Sequence, residues 1–174
     1  MNNILITGLP GVGKTELIKK LSIIFKEFNP AGFITSEILE NGERAGFEIE
    51  NLNGDSRVLA HINLKSKHSI GKYKIDIKGF EDFILQMLLK EKKTGLYFID
   101  EIGKIECESK KFSKLIVDLL NADKPLVATI PDKVTGLIRD IRKRDDVKIF
   151  ELTLNNREQK LKELTMVIRD LLLE

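Results

Sequence analysis

The chain has 174 residues, of which 32% are charged and 42% are hydrophobic, and its formal net charge at pH 7 is +2. This length fits one α/β domain, the small net charge does not indicate nucleic-acid binding, and no apolar run reaches the roughly 20 residues of a membrane span. The one cysteine, Cys107, excludes an internal disulfide, and with His61 and His68 it makes no metal-ligand pattern. We therefore expect a cytoplasmic protein and, by default, a monomer.

The first predicted strand, near Asn3 to Thr7, leads directly into a glycine-rich loop with the pattern G-x-x-x-x-G-K-T. This pattern is typical of a phosphate-binding loop between a strand and a helix, because glycine lets backbone N–H groups turn inward around a phosphate. The loop consists of Gly8, Leu9, Pro10, Gly11, Val12, Gly13, Lys14 and Thr15. We predict that it binds a nucleoside triphosphate, and an empty loop without this function is the less favoured alternative.

Two side chains of this loop have specific predicted roles. Lys14 is expected to neutralise oxygens of the β- and γ-phosphates, and the Thr15 hydroxyl is expected to enter the coordination shell of Mg²⁺. The helix that opens at Lys14 points its partially positive end at the same anion. The predicted substrate is therefore ATP, GTP or another nucleoside triphosphate, with Mg²⁺ as the cofactor.

After the loop, apolar residues keep helical spacing as far as Asn29-Pro30, and a second strand is predicted from Ala31 to Ser36. The apolar positions of the helix are Leu17, Leu21, Ile24, Phe25 and Phe28. Residues 38–76 differ, because short strand-like runs alternate there with Asn-Gly pairs at 41–42 and 53–54, a strong hairpin signal. We expect a hairpin-rich insertion that lies beside the main sheet.

The second half of the chain alternates helices and strands. Helical spacing returns at residues 80–88, 112–120 and 161–171, and apolar strands are predicted at Leu96–Ile99, Leu126–Thr129 and Val147–Leu152. This alternation predicts an α/β fold, with a mostly parallel sheet that helices cover on both faces. We see no linker, so residues 1–174 are expected to form a single domain.

Two carboxylates, Asp100 and Glu101, close the strand that begins at Leu96. At this position Asp100 is expected to hold Mg²⁺ opposite Thr15, and Glu101 to orient and activate a water for in-line attack on the γ-phosphorus. Alone, such a pair would more simply mark the start of a solvated loop. The phosphate-binding loop upstream makes the catalytic interpretation the favoured one.

Charge that develops on the transferred phosphoryl group requires a cation in addition to Lys14. The candidates are Lys104, Arg139, Arg142 and Arg144. The arginines can be interpreted as a cover over the active site, as an exposed helix face or as a contact for a partner. Their spacing alone favours the exposed face.

The segment Asp100 to Glu106, with the sequence D-E-I-G-K-I-E, combines with the phosphate-binding loop in a pattern that closely resembles the THEP1 family of nucleoside-triphosphatases. Further segments resemble motifs of that family, in order, over essentially the whole chain. They are Gly32–Glu37, Arg44–Phe47, Ile70–Tyr73, Thr129–Pro131, Ile141–Val147 and Asn156–Arg157. Glu16 departs from the pattern, since a threonine is common there, and this weakens an expected contact with the α-phosphate.

The resemblance implies a P-loop NTPase with a three-layer αβα sandwich and a RecA-like sheet. It implies slow, Mg²⁺-dependent hydrolysis of several nucleoside triphosphates to diphosphate and phosphate. By the same resemblance, Lys14 and Thr15 bind phosphate and metal, Asp100 and Glu101 serve metal and water, and a cation stabilises charge. The cations favoured for that last role are Lys104, Arg142 and Arg144.

Two other functions share the same phosphate-binding loop. In a nucleotide-kinase-type phosphotransferase, residues 38–76 would hold an acceptor, and the arginines of residues 139–144 would close over the phosphates as a lid. A nucleotide-gated switch or RNA-associated regulator would hydrolyse slowly to reset itself, but aromatic residues are only 6% of the chain, and we see no aromatic and basic surface for RNA. The Asp100-Glu101 pair favours hydrolysis, and base preference stays open.

Overall fold

The computed structural model describes residues 2–90, 93–134 and 136–173. In chain order the elements are β1 (Asn3–Thr7), α1 (Lys14–Ile24), β2 (Ala31–Glu40), β3 (Glu43–Asn51), β4 (Ser56–His61), β5 (Ser69–Ile70), β6 (Tyr73–Ile75), α2 (Ile77–Lys90), β7 (Tyr97–Asp100), α3 (Lys110–Leu120), β8 (Leu126–Thr129), α4 (Leu137–Ile141), β9 (Val147–Glu151) and α5 (Arg157–Leu173). Short 3₁₀ helices cover Lys26–Phe28 and Glu106–Glu108.

The nine strands form one sheet in the order β5-β6-β4-β3-β2-β7-β8-β1-β9. The five strands from β2 to β9 in this order are parallel, since β2 pairs with β7, β7 with β8, and β1 with both β8 and β9 in that sense. The remaining pairings are antiparallel. The predicted α/β fold is confirmed, and the parallel strands bring their carboxyl ends to one edge of the sheet.

Both faces of the parallel part are covered by helices. Side chains alternate between the faces, so Leu5 of β1 lies in one apolar cluster while Ile4 and Ile6 lie in the other. The cluster with Leu5 contains buried residues of α2, α3 and α4, and the cluster with Ile4 and Ile6 contains those of α1 and α5. The middle residues of β1, β7 and β8 are therefore apolar, because neither face of these strands meets solvent.

The hairpin-rich segment continues the sheet, whereas the sequence predicted that it would lie beside it. Strand β2 runs on to Glu40, four residues beyond its predicted end, because β3 pairs with it along that whole length. Asn41 and Gly42, with φ of 51° and 81°, connect the paired residues Glu40 and Glu43 as a two-residue turn. The turn prediction is confirmed, and the predicted placement of the insertion is corrected.

The short helix α4 overlaps the arginine-containing segment 139–144, for which an exposed helix face was one of three interpretations. Ile138 and Ile141 of this helix are 3% and 2% exposed and pack in the same cluster as α2 and α3. Arg139 and Asp140 remain exposed. Within the described ranges, no helix combines the length and the apolar character needed to cross a membrane.

Candidate active site

The candidate site lies where β1, β7 and β8 end. Ile6 of β1 is level with Thr129 of β8, and Ile99 of β7 is level with Ala128 of the same strand. The residues that follow these positions therefore emerge side by side at the carboxyl edge. In open α/β sheets this edge is where ligands bind.

The phosphate-binding loop, residues Gly8–Thr15, connects the end of β1 to the start of α1. Gly8 has a φ of 152°, and a Cβ on it would lie 2.5 Å from the backbone oxygen of Leu152 after β9. Gly13, with a φ of 103°, is the N-cap of α1 and has no side chain that would occupy the first backbone N–H groups. These N–H groups and the helix dipole make the loop an anion site.

The Lys14 side chain folds over its own loop. Its Nζ donates to the backbone oxygen of Gly8 at 2.7 Å and to that of Leu9 at 3.3 Å. Burial raises the pKa of the carboxyl groups of Asp100 and Glu101, and the Lys14 ammonium group opposes that rise at both. The one charged group of the loop therefore acts on the predicted metal ligand and on the predicted base.

Asp100 is 2% exposed and is held by hydroxyl groups from two other elements. Thr15 of α1 donates to its Oδ2 at 2.6 Å, and Thr129 of β8 donates to its Oδ1 at 2.6 Å. The Thr35 hydroxyl of β2 donates to the Asp100 backbone oxygen at 2.5 Å. Burial raises the pKa of Asp100, and these hydrogen bonds act in the opposite direction.

The structure thus joins Thr15 and Asp100, which are 85 residues apart. No pattern in the sequence indicated a role for Thr129 or Thr35 at Asp100. Thr129 ends a predicted buried strand, as Asp100 does. Because neighbouring parallel strands bring their last residues together, this position could have indicated that Thr129 lies near Asp100.

Glu101 follows Asp100 and has a partly buried side chain. Burial is the main cause that raises its pKa, the charge of Asp100 raises it further, and Lys14 lowers it. A carboxylate with a raised pKa is a stronger proton acceptor, which suits a group that takes a proton from water. The next residue, Ile102, is fully buried and donates its N–H to the Thr129 oxygen at 2.9 Å, which anchors this segment to β8.

Of the predicted charge-stabilising residues, the structure places Lys104 at this edge of the sheet. It is exposed in the segment that connects Glu101 to the 3₁₀ helix beginning at Glu106. Lys14, Thr15, Asp100, Glu101 and Lys104 are thus all brought to the carboxyl edge.

Arg144 lies at the opposite, amino edge of the sheet. Its guanidinium group donates to both carboxylate oxygens of Asp146 at 2.8 Å and to Asn121 Oδ1 at 2.9 Å. It also contacts the backbone oxygen of Leu120, which accepts a hydrogen bond from the side chain of Asn3, the first residue of β1. Since β1 is about 13 Å long, the structure does not bring Arg144 to the phosphate-binding loop.

Arg142 directly follows α4, and its N–H bonds to the Ile138 oxygen. Helix α4 lies between β8 and β9 in the chain. The family resemblance, and not the spacing, favoured Arg142 and Arg144 for the active site. The contacts of Arg144 at the amino edge count against that role for Arg144.

Arg157 contacts the loop, although the sequence analysis gave it no role there. This first residue of α5 donates its Nε to the backbone oxygen of Val12 at 2.8 Å. The guanidinium group lies beside Gly13, where a Cβ would be 3.5 Å from the same nitrogen. The family-like Asn156-Arg157 motif was the only signal, and it did not indicate which element Arg157 contacts.

The donors at the site fit Mg²⁺. No cluster of three or more His, Cys, Asp or Glu side chains suited to a metal occurs among the residues that the structure describes. Mg²⁺ does not require such a cluster, because it keeps several waters and binds through one or two carboxylates together with substrate phosphates. The Asp100 carboxylate and the adjoining Thr15 hydroxyl form a donor set of this kind.

Comparison with known proteins agrees with this geometry. A family described as NTPase matches residues 3–165. The nucleoside-triphosphatase THEP1 of Thermotoga petrophila is 41% identical over 95% of this chain and 92% of its own length. The human cancer-related nucleoside-triphosphatase is 32% identical over 96% of both chains. The crystal structure of THEP1 from Aquifex aeolicus superposes with a TM-score of 0.85 at 32% identity, covering 95% of this chain and 98% of that one. The chain therefore belongs to the THEP1 family of nucleoside-triphosphatases.

Proposed function

We propose that this protein hydrolyses ATP, GTP and other nucleoside triphosphates to the diphosphate and phosphate in a Mg²⁺-dependent reaction. The observation that carries the proposal is the 2.6 Å hydrogen bond between Thr15 of the phosphate-binding loop and Asp100, which Glu101 directly follows. This contact supports a site in which a buried carboxylate suited to a metal and a neighbouring basic carboxylate adjoin the phosphate-binding loop. The names of the relatives support hydrolysis as the reaction.

Binding depends on the loop. Its backbone N–H groups and the amino end of α1 surround the β-phosphate, and Lys14 neutralises oxygens of the β- and γ-phosphates. Asp100 and Thr15 would hold Mg²⁺, which would supply positive charge to offset the negative charge of the phosphates. Thr129 keeps the Asp100 carboxylate in one orientation through its 2.6 Å hydrogen bond.

Glu101 orients a water molecule in line with the bond that breaks. The water oxygen attacks the γ-phosphorus, the bond to the oxygen bridging the β- and γ-phosphates breaks, and the diphosphate leaves with that electron pair. Glu101 accepts the proton that the water releases. Lys104, exposed in the same segment, is our candidate for the cation that stabilises the charge on the equatorial oxygens.

We also propose that the fold is the three-layer P-loop sandwich with a RecA-like sheet, in a single domain. The two apolar clusters on opposite faces of one continuous sheet support this assignment. The phosphotransferase alternative gains no comparable support, because residues 43–75 extend the sheet and Arg144 of the supposed lid is engaged at the other edge.

We assign Arg144 a structural role. Arg144→Ala is expected to lower the free energy of unfolding by about 1–2 kcal/mol. Hydrogen bonds to charged groups contribute more than neutral ones, but the side chains of Arg144 and Asp146 are 29% and 38% exposed, and solvent weakens their ion pair. The thermal midpoint should fall by roughly 2–8 °C, with kcat changed less than about twofold. Thermal unfolding of Arg144→Ala beside Lys143→Ala, an exposed neighbour, measures this. A large fall in kcat with an unchanged thermal midpoint would show that Arg144 takes part in catalysis.

The proposed reaction is tested by phosphate release from ATP, GTP, CTP and UTP, with and without Mg²⁺. We expect release from several triphosphates, only with the metal, and none above background in Lys14→Ala purified in the same way. Equal release by the parent protein and Lys14→Ala would identify a contaminating phosphatase. No release from any triphosphate by the parent protein would contradict the proposal.

A further inference from the structure

Glu106 is a buried carboxyl group at the active-site edge that the reaction described above does not use. It opens the 3₁₀ helix Glu106–Glu108 and is 4% exposed. Its side chain turns back along the chain, and its Oε2 accepts the N–H of Gly103 at 3.2 Å. The backbone closes the same turn, because the Cys107 N–H donates to the Gly103 oxygen at 3.0 Å. Glu106 therefore fixes the segment that connects Glu101 to α3.

Gly103 lies between two carboxyl groups. A Cβ on this residue would be 2.7 Å from Glu101 Oε1 and 2.8 Å from Glu106 Oε2. The two oxygens are thus no more than about 5.5 Å apart, and a side chain on Gly103 would require at least one of the carboxyl groups to move. The absence of a side chain at Gly103 is what allows the Glu106 carboxyl group to approach Glu101.

Two carboxylates this close in a buried position oppose each other's ionisation. Burial is the main cause that raises the pKa of Glu106 to about 8, and the charges of Glu101 and Asp100 raise it further. Burial also raises the pKa of Asp100 and Glu101, but the charge of Lys14 opposes that rise at both. A proton held by Glu106 would leave Glu101 free to act as the carboxylate.

Other ionisable groups of this segment and of α3 are neutral, paired or exposed, namely Cys107, Lys111, Glu108 and Lys104. Burial raises the pKa of the adjacent Cys107 thiol to about 11, so it stays neutral. Lys111 on α3 forms a 3.0 Å ion pair with Glu81 on α2. Glu108 and Lys104 are exposed in solvent.

We propose that Glu106 is a positioning residue for hydrolysis, whose carboxyl group holds the Gly103 backbone in place and thereby sets where Glu101 directs the attacking water. This inference rests on the proposed hydrolysis. Its distinctive consequence is that Glu106 acts on kcat and leaves nucleotide binding unchanged, because its contacts are to Gly103 and not to the phosphate-binding loop. A displacement of about 1 Å at a reacting group can cost 10²-fold in rate.

The test compares three variants in steady-state hydrolysis of ATP. Glu106→Leu fills the space but removes the acceptor for the Gly103 N–H, and should lower kcat by about 10- to 100-fold with KM within about threefold. Glu106→Gln keeps an acceptor and resembles the neutral acid, so it should restore kcat to within about threefold of the parent protein at pH 7. Glu108→Gln, an exposed carboxyl group two residues away, is the matched control and should behave like the parent.

The pH profile adds a readout that a purely structural role would not change. Above about pH 8 the parent protein should lose activity as Glu106 ionises beside Glu101, whereas Glu106→Gln should not show that decline. Carbon-13 NMR of glutamate-labelled protein without nucleotide should show one carboxyl resonance that titrates near pH 8 and is missing in Glu106→Gln. This second measurement does not depend on activity.

Several results would overturn the inference. They are an unchanged kcat in Glu106→Leu, equal losses in Glu106→Leu and Glu106→Gln, or a carboxyl titration near pH 8 that survives in Glu106→Gln. If Glu106→Leu does not fold, the pH profile and NMR titration of Glu106→Gln decide. If the parent protein releases no phosphate at all, the proposed hydrolysis fails first. If it hydrolyses normally and the Glu106 variants match it, only the role of Glu106 is wrong.

Discussion

Glu101→Gln is expected to lower kcat by about 10²- to 10⁴-fold, the usual contribution of a positioned general base, with nucleotide affinity within about threefold. Glutamine has nearly the same shape and can still hydrogen-bond a water, but it cannot accept the proton. Lys14, Thr15 and the loop glycines are untouched, so the phosphates should still bind. Single-turnover phosphate release, together with titration of a fluorescent nucleotide, measures the two quantities separately.

The control for this variant is Glu108→Gln, which changes the same atoms at an exposed position outside the site. If Glu101→Gln turned over like the parent protein, the assignment of Glu101 to the water would be wrong. If it lost affinity and rate together, the Glu101 carboxylate would instead contribute to binding in the ground state.

The acid side of the pH profile tests the same assignment. The pKa of Glu101 lies above its ordinary value of 4.5, so this carboxylate becomes protonated at a higher pH than an exposed glutamate. The activity of the parent protein should therefore fall on the acid side before exposed carboxylates protonate. The small residual activity of Glu101→Gln should not follow that fall.

The sequence could predict the parts of the site that depend on short-range pattern. The spacing of Gly8, Gly13 and Lys14 fixes the loop, and the run that ends in Asp100-Glu101 fixes where a buried strand emerges. Neighbouring parallel strands end at the same edge of a sheet, so the meeting of these two segments can be predicted without knowing any distance between them. The 2.6 Å contact of Thr15 with Asp100 is the result of that rule.

Parts that depend on pairing and chain direction could not be predicted. The Asn-Gly turn at 41–42 was readable, but attachment of the hairpin to the edge of β2 depends on backbone hydrogen bonds that side-chain pattern does not show. Strand β5 has two residues, too few for a periodic signal. The short helix α4 has only five residues, which are likewise too few for helical spacing to be recognised.

Besides strand pairing and chain direction, the burial of a charged residue could not be predicted from the sequence pattern. Glu106 stands two residues from both Lys104 and Glu108, a charge pattern typical of an exposed loop. It is nevertheless 4% exposed, and its side chain turns back to Gly103. The resemblance to a family motif marked this position without a physical reason. The geometry of Gly103 supplies one.

Lys14→Ala is expected to abolish phosphate release and weaken triphosphate binding by at least about tenfold to a hundredfold. Each hydrogen bond to a charged group contributes about 1.5–3 kcal/mol, and the ammonium group is the one cationic side chain within the loop. Without it, the negative charge of the phosphates would face Asp100 and Glu101 with less compensation, since Lys14 acts on both. Lys20→Ala, at an exposed position on the same helix α1, is the matched control.

Thermal unfolding with and without nucleotide measures this loss without relying on catalysis. A nucleotide at 100 times its dissociation constant stabilises the folded state by about 2.7 kcal/mol, which for a chain of this size raises the midpoint by roughly 5–10 °C. The parent protein and Lys20→Ala should show that rise, and Lys14→Ala should show little of it at the same concentration. Lys14→Ala also loses the hydrogen bonds to the Gly8 and Leu9 oxygens, so a slightly lower midpoint without nucleotide is expected. If Lys14→Ala kept the full rise, the loop would bind the nucleotide through its backbone alone, and the role assigned to the Lys14 ammonium group would be confined to the reaction.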